Sequence, residues 1–266
     1  MYSFLHSTPE AHGYDTVLWT LDILVDLLKK RFGLWVSDST VAVHLHQMDL
    51  SCQRPCYQAR QQDPRKVEDF LNRKFPMIER VAEKMGADIA FEDETGIGIP
   101  TRSGRTWGAV DSPPTVIVNQ QRGGYNVLSA ITANGELMFD IEEKTIDGKR
   151  YIAFLEKILN GRTRPLIVIA DNAPFHRSKK VRDFVRSHRH QIRMFFFPTY
   201  SPKLNPDEQV WNEIKHRKLQ KQPIKNKSDL KKRIDGALNF LKEKTDKVRS
   251  FFHLPDTQYA AIPQLP

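Results

Sequence analysis

Apolar residues in the first fifty positions recur at helical spacing. Leu21, Leu24, Val25, Leu28 and Phe32 line one face of a helix that Gly33 should close. Ser37 is placed to cap a second helix, whose stripe is Val41, Leu45 and Met48. Two short helices joined by a tight Gly-containing turn make a helix-turn-helix pattern. The second helix would show Thr40, Val43 and His46 or Gln47 to DNA. That face carries no Lys or Arg, so a small helical packing domain is the competing reading.

Asp63 followed by Pro64 marks a new helix start. Val67, Phe70, Leu71, Ile78, Val81 and Met85 continue the helical pattern, with an interruption at Pro76 and a stop at Gly86. This stretch reads as a connector. The period then changes. Residues 88–93 read as a strand, followed by the Gly/Ser/Arg/Thr-rich loop TGIGIPTRSGRTWG. Further strands are expected over 115–118, 125–132 and 137–142, with Asn134-Gly135 as a hairpin turn between the last two. A helix over 149–159 precedes the wholly apolar run 166–170, which reads as a buried central strand ending at Asp171. A helix over 178–187, a strand over 192–197 and a helix from Pro206 complete a mixed α/β sheet with helices on its faces. The last residues, from about Leu254, are Pro-rich and read as an extended tail.

Three acids gain interest from this layout. Asp93 ends the first strand, Asp171 ends the central strand, and Glu208 falls in the first turn of a later helix. Functional groups of open α/β sheets collect beyond the carboxyl ends of strands. Three carboxylates converging there could hold two hard cations such as Mg²⁺, and two such ions serve phosphodiester chemistry. Each acid also has a plain structural explanation. Asp93 is one of three acids in EDET, and Asp171 can form an Asx turn. Glu208, with Asn205 as cap and Pro206 after it, sits at the capping-box position.

Composition adds a partner class. The 266 residues are 39% hydrophobic and 27% charged, which excludes a disordered, collagenous or disulfide-stapled chain. The two cysteines, Cys52 and Cys56, fit a reducing cytoplasm. No run approaches the roughly 20 apolar residues of a membrane helix, and the N-terminus lacks a secretory pattern. The net charge of +9 is concentrated, with 13 Lys and Arg against five Asp and Glu over 209–250. A second basic run, HRSKKVRDFVRSHRHQIR, covers 176–193. Two basic runs flanking a set of carboxylates are the footprint of a nucleic-acid protein. A zinc site from His44, His46, Cys52 and Cys56 is disfavoured, since helix positions two apart point away from each other. TGIGIPTRSGRT lacks a P-loop ending. Trp107 and Trp211 could stack on bases, although Trp211, one turn after Glu208, reads as core.

DETG, GRTW, ADNAPFH and PTYSPKLNPDEQVWNEIK, in that order and spacing, resemble the bacterial IS630 branch of the Tc1/mariner transposases. The stretch from Tyr14 to Pro55 looks like that family's second helix-turn-helix and the start of its linker, so the resemblance runs from about Gly13 to Lys218. It implies an RNase H-like α/β catalytic domain preceded by a small all-α helix-turn-helix domain. The implied catalytic and metal-ligating triad is Asp93, Asp171 and Glu208, with Asn172 and His176 orienting the metal site or the scissile phosphate. Two Mg²⁺ or Mn²⁺ ions, cleavage at terminal inverted repeats, transfer of the 3′-hydroxyl into a TA-containing target and a homodimer on DNA follow by the same route. Expected DNA contacts are Thr40, Val43, His46 and Gln47 in the first domain, and Arg102, Arg105, Lys179, Lys180, Lys215, Arg217 and Lys218 in the second.

On this reading residues 1–62 form the helix-turn-helix domain, 63–86 a helical linker, 87–222 the catalytic domain and 223–266 a basic helical region and tail. The expected setting is the bacterial cytoplasm, on the nucleoid. The family usually carries a further helix-turn-helix ahead of this one, expected here to be lost or encoded in a preceding frame. Val43, His46 and Gln47 replace basic residues usual on the recognition helix, and Asp49 stands where a turn Gly is usual. A catalytically silent DNA-binding remnant or regulator and a nuclease of the same fold are the alternatives.

Overall fold

The computed structural model describes residues 2–53, 61–99, 111, 123–219 and 224–261. The chain divides into two compact units, Met1–Gln58 and Ala59–Pro266. Among the described residues no helix is long and apolar enough to cross a membrane.

In the first unit, two 3₁₀ turns, Tyr2–His6 and Pro9–His12, precede α1 (Leu21–Phe32) and α2 (Asp38–Gln47). The caps are those the side chains offer. Thr20 accepts from the Ile23 amide at 3.3 Å, Ser37 accepts from the Thr40 amide at 3.2 Å, and Gly33 ends α1 with φ +66°. Leu24, Leu28 and Val41 are buried together, with Val25 and Leu45 packed against them. The expected stripes therefore meet, except at Phe32, which ends α1 56% exposed. Asp49, at the end of α2, has φ +58°, the left-handed conformation that a turn Gly would supply and that Asp tolerates better than most residues.

The second unit is built on a five-stranded sheet in the order β3-β2-β1-β4-β5. Its strands are β1 (Asp88–Gly98), β2 (Gly124–Thr132), β3 (Leu137–Glu142), β4 (Leu166–Ala170) and β5 (Ile192–Phe196). β1–β2 and β2–β3 pair antiparallel, whereas β1–β4 and β4–β5 pair parallel. The helices are α3 (Pro64–Asp69), α4 (Phe75–Met85), α5 (Gly148–Leu159), α6 (Lys179–Ser187), α7 (Glu208–Asn212), α8 (Lys227–Lys242) and α9 (Thr245–Ser250). Phe91, Val127, Ile131, Ile167 and Ile169 face a layer of α4, α7, α8 and α9. Ala90, Leu128, Val168 and Ala170 face α5 and α6. Each strand thus alternates between two apolar layers, and β4, buried on both sides, is apolar throughout.

Four expectations need adjustment. First, β1 continues through Thr95–Gly98, so Asp93 is mid-strand rather than terminal. The glycines taken for a loop are ladder positions, Gly96 opposite Asn126 and Gly98 opposite Gly124. A Cβ on Gly124 would stand 2.5 Å from the Ile97 carbonyl oxygen, so only glycine permits this approach. Second, the connector helices belong to the core, with Phe70, Phe75 and Ile78 buried in the larger cluster. A π-helical turn, Phe70–Lys74, joins α3 to α4 just before Pro76, whose ring removes a helical donor at that point. Third, the C-terminal segment is not an extended tail over its described residues, 254–261. Gln258–Ala260 forms a 3₁₀ turn, and the Tyr259 ring meets Phe75 edge-on at 4.7 Å while its hydroxyl donates to the Leu204 carbonyl at 2.8 Å. Fourth, α7 begins at Glu208, two residues later than expected. The strand expected over 115–118 lies outside the described residues.

The aromatic cluster of Phe70, Phe75, Phe91, Phe197 and Tyr259 ties the connector, β1, the loop after β5 and the C-terminal segment together. Tyr259→Ala is expected to cost about 2 kcal/mol of stability, less than the roughly 3–5 kcal/mol of a fully buried ring, because Tyr259 is only partly buried. Chemical denaturation measures it. An unchanged midpoint would show that the segment merely rests on the surface.

Candidate active site

β4 delivers Asp171 at its carboxyl end. One oxygen, Oδ1, accepts from the Ala173 amide at 2.7 Å, so the Asx turn forms, and the same oxygen lies 3.0 Å from His176 Nδ1. His176 is wholly buried, and its other nitrogen sits 3.1 Å from Glu92 Oε2. Glu92 is also wholly buried, and Tyr151 donates its hydroxyl to the same oxygen at 3.3 Å. A carboxylate–imidazole–carboxylate chain therefore crosses from β1 to the end of β4 on the α5/α6 side of the sheet.

Asp93 points to the opposite side. Its Oδ2 accepts the indole N–H of Trp211 at 2.9 Å, so that buried ring has both a packing role and a polar one. Two further bonds fix the start of α7. Asn205 Nδ2 donates to the Glu92 carbonyl at 3.0 Å, and Ser129 of β2 donates to the buried Asp207 carboxyl at 2.5 Å. Asn205 Oδ1 accepts from the Asp207 amide at 3.1 Å, a capping bond. The reciprocal half of a capping box is missing, because the Asn205 amide bonds the Pro202 carbonyl instead. The Glu208 side chain is thus released from capping.

Asp93, Asp171 and Glu208 all line one cleft of about 390 Å³, walled by Asn172, Ala173 and the loop from Phe197 to Pro202. Parallel pairing of β1 with β4 stops at Phe91, so Asp93 sits beyond the last shared rung, beside the exit of β4. The electrostatics record the crowding. Burial, then Glu208, Asp207, Glu92 and Glu94, push the Asp93 carboxyl well above its ordinary range. Burial raises Glu208, with Asp171 adding to the rise and Lys215 opposing it. Burial also raises Asp207, and it raises Glu94 to about 7 with help from Glu92. Asp171 is the exception. Burial would raise it, but hydrogen bonds from His176 and the Ala173 amide hold it below its usual value. For His176 burial favours the neutral ring, yet Glu92 and Asp171 outweigh it and raise the imidazole to about 10.

Two donor sets are available for a metal. Among the described residues Asp93 Oδ1, Asp171 Oδ2 and both Glu208 oxygens accept no hydrogen bond. An all-oxygen carboxylate set facing an open cleft fits a hard divalent cation such as Mg²⁺ or Mn²⁺. Ligand atoms of Glu92, Glu94 and His176 also lie within 4.8 Å of one another, behind the strand. There both imidazole nitrogens face carboxylates, which favour the protonated ring over one that offers a lone pair to a metal.

The remaining expected residues are dispersed. Asn172 donates to the Phe197 carbonyl at 2.7 Å and accepts from Arg177, joining the exit of β4 to that of β5. Lys179 and Lys180 are exposed on the first turn of α6. Lys215 donates to Thr95 Oγ1 of β1 at 2.5 Å, beside Glu208. Arg102 and Arg105 lie outside the described residues, and of Arg217 and Lys218 only the backbone, in the helical turn Glu213–Lys218, is described. In the first unit Thr40, Val43, His46 and Gln47 are all exposed on α2. Sequence reasoning missed Glu92, Asp207 and Ser129, and it read Asn205 as a cap without its bond to the Glu92 carbonyl. The alternation within EDET was the available signal, since it sends Glu92 and Asp93 to opposite faces.

An open α/β sheet with carboxylates gathered where its central strand ends places the chain among RNase H-like enzymes. A family profile described as DDE superfamily endonuclease matches residues 88–231, more than half of the chain, and the chain belongs to that family. A profile described as winged helix-turn helix matches residues 15–74. Among solved structures, the Mos1 strand transfer complex matches with a TM-score of 0.62 at 17% identity, over 96% of this chain and 78% of that one. The Mos1 mariner paired end complex with Mn matches with the same score and identity, over 96% and 79%. The Mos1 transposase paired-end complex with left transposon end gives 0.58 at 19%, over 95% and 78%. At these identities the likeness is one of fold. No curated protein matches the chain in sequence.

The raised groups fix a direction with pH. Asp93, Glu94, Asp207, Glu208 and His176 all hold protons more tightly in the fold than in the unfolded chain. Their contribution to stability is present below their unfolded values and lost as pH rises through the folded ones. Thermal melts in chelator should therefore show a falling Tm between about pH 7 and about pH 10, partly reversed by Mg²⁺ or Mn²⁺. A Tm that rises across this window would contradict the assigned charges.

Proposed function

We propose that the chain is a DNA transposase that cuts transposon ends in a metal-dependent step and joins the freed 3′-hydroxyl to target DNA. The observation that carries this is the single cleft lined by Asp93, Asp171 and Glu208. Bound Mg²⁺ or Mn²⁺, two ions on this reading, would neutralise phosphate charge and favour deprotonation of the attacking oxygen. The three carboxylates would hold those ions, and His176 keeps Asp171 ionised with Oδ2 free to serve. Asn172 keeps the two strand exits together, and Trp211 holds Asp93. In the first step water attacks the scissile phosphorus and the strand leaves as a 3′-hydroxyl. In the second that hydroxyl attacks a target phosphorus and releases one target strand.

Charge supports the choice of substrate. Arg182, Arg186, Arg189 and Arg193 line a groove of about 430 Å³ between α6 and β5, whose wall includes His176 of the catalytic network. Guanidinium rows suit a phosphodiester backbone. Lys179 and Lys180 are exposed on the first turn of the same helix, and the Lys215 charge acts on Glu208. The α2 face of Thr40, Val43, His46 and Gln47 would approach bases without forming strong phosphate contacts, so base readout by this unit is modest. The sequence motifs favour the IS630 branch, TA-containing targets and a homodimer on DNA. Residues 1–62 bind DNA, 63–86 connect, 87–222 carry the chemistry and 223–266 add a basic helical layer.

Duplex carrying the inverted repeats that flank the gene provides the test. Nicking should require Mg²⁺ or Mn²⁺, and Asp171→Ala or Glu208→Gln should each slow it by about a thousandfold or more without unfolding the protein. Cleavage at an undiminished rate in both variants would overturn the assignment. Faster cutting of an RNA–DNA hybrid than of duplex DNA would point to a general nuclease instead.

A further inference from the structure

We propose that Tyr200 is the platform of a nucleobase subsite at the lip of the catalytic cleft, stacking on the base next to the scissile phosphate. The proposal rests on the transposase reading and adds a binding site to it. Tyr200 lines the same cleft as Asp93, Asp171 and Glu208. Its backbone has φ +59°, a conformation that glycine adopts freely and that a bulky side chain makes unfavourable. The ring gives the fold nothing visible in return. It is 58% exposed, and among the described residues it has no hydrogen bond or aromatic partner. A strained residue with an unpaired aromatic side chain, at the mouth of a reaction site, is the pattern expected where the strain serves a ligand.

The loop is built to hold that pose. Pro198 and Pro202 bracket it and restrict its backbone. Ser201 is buried, donates to the Thr199 carbonyl at 3.3 Å and accepts from the Gln62 amide at 3.2 Å. Phe197, just before the loop, is locked into the aromatic core. The phenol is therefore presented from a rigid base at low further entropic cost. In a cleft that takes a phosphodiester, the flat apolar group nearest the reacting phosphate is a nucleobase, and bases stack on aromatic side chains irrespective of sequence.

The full-length protein can be tested with a short duplex that ends in an unpaired overhang and carries 2-aminopurine beside the strand break, in Ca²⁺. Binding is followed by anisotropy and stacking by quenching of the 2-aminopurine emission. Wild type and Tyr200→Phe should bind alike and quench. Tyr200→Leu and Tyr200→Gly should bind about tenfold more weakly and leave the emission unchanged, as expected for one lost aromatic–base stack. Tyr200→Gly also relieves the positive φ and should melt no lower than wild type, which separates a lost contact from a lost fold. Quenching that persists in Tyr200→Leu and Tyr200→Gly, or is absent from wild type, would overturn the subsite while leaving the transposase reading standing. Failure of the wild type to bind any DNA would remove that reading as well.

Discussion

A buried imidazolium is the interaction on which the site depends. His176 has no contact with solvent, and its charge is tolerated only because Glu92 and Asp171 flank it. A buried charge deprived of one partner costs several kcal/mol, on the order of 3–5. The three groups are thereby forced to stay together. Glu92 belongs to β1, Asp171 ends β4, and His176 sits on the turn that follows, so the pair of strands and the loop share one electrostatic lock. Asp171 is held ionised as a consequence, with one oxygen committed to the fold and the other open to the cleft.

The second half of the site is fastened to the same strand by its backbone. Asn205 takes the Glu92 carbonyl, Ser129 takes Asp207, and Trp211 takes Asp93. All three bonds anchor the segment that begins α7, and with it Glu208. The arrangement opposes the preference of the carboxylates themselves. Asp93, Asp207 and Glu208 are each raised by burial and by neighbouring carboxylates, so the chain forces acids together that would separate in water. Such crowding weakens the metal-free fold and is relieved by a divalent cation, which links cofactor binding to stability. The core of the helix-turn-helix unit is the small apolar cluster of Leu24, Leu28 and Val41.

Local patterns were legible in the sequence. The α1 and α2 stripes, the Asn134-Gly135 hairpin and the five-residue apolar run of β4 fall where periodicity and turn chemistry put them. Asp93, Asp171 and Glu208 stood out by position, and they share one cleft. Features set by distant partners were not legible. The glycines of β1 look like loop until β2 is seen against them, and Tyr259 looks like tail until Phe75 is beside it. Glu92 is one of three acids in EDET, and nothing local marks Asp207 out beside Glu208. Their roles come from His176 and Ser129, separated from them by 84 and 78 positions in the chain, and no window of sequence contains that pairing.

The central claim is that the Glu92–His176–Asp171 chain positions the open carboxylate oxygens for a divalent cation. Calorimetric titration of Mn²⁺ into the full-length protein and its Glu92→Gln variant tests it most directly. The account predicts binding by the wild type and affinity about tenfold or more weaker in the variant, the usual effect of losing a group that orients a metal ligand, with the fold retained. Equal affinities in the two proteins would contradict it.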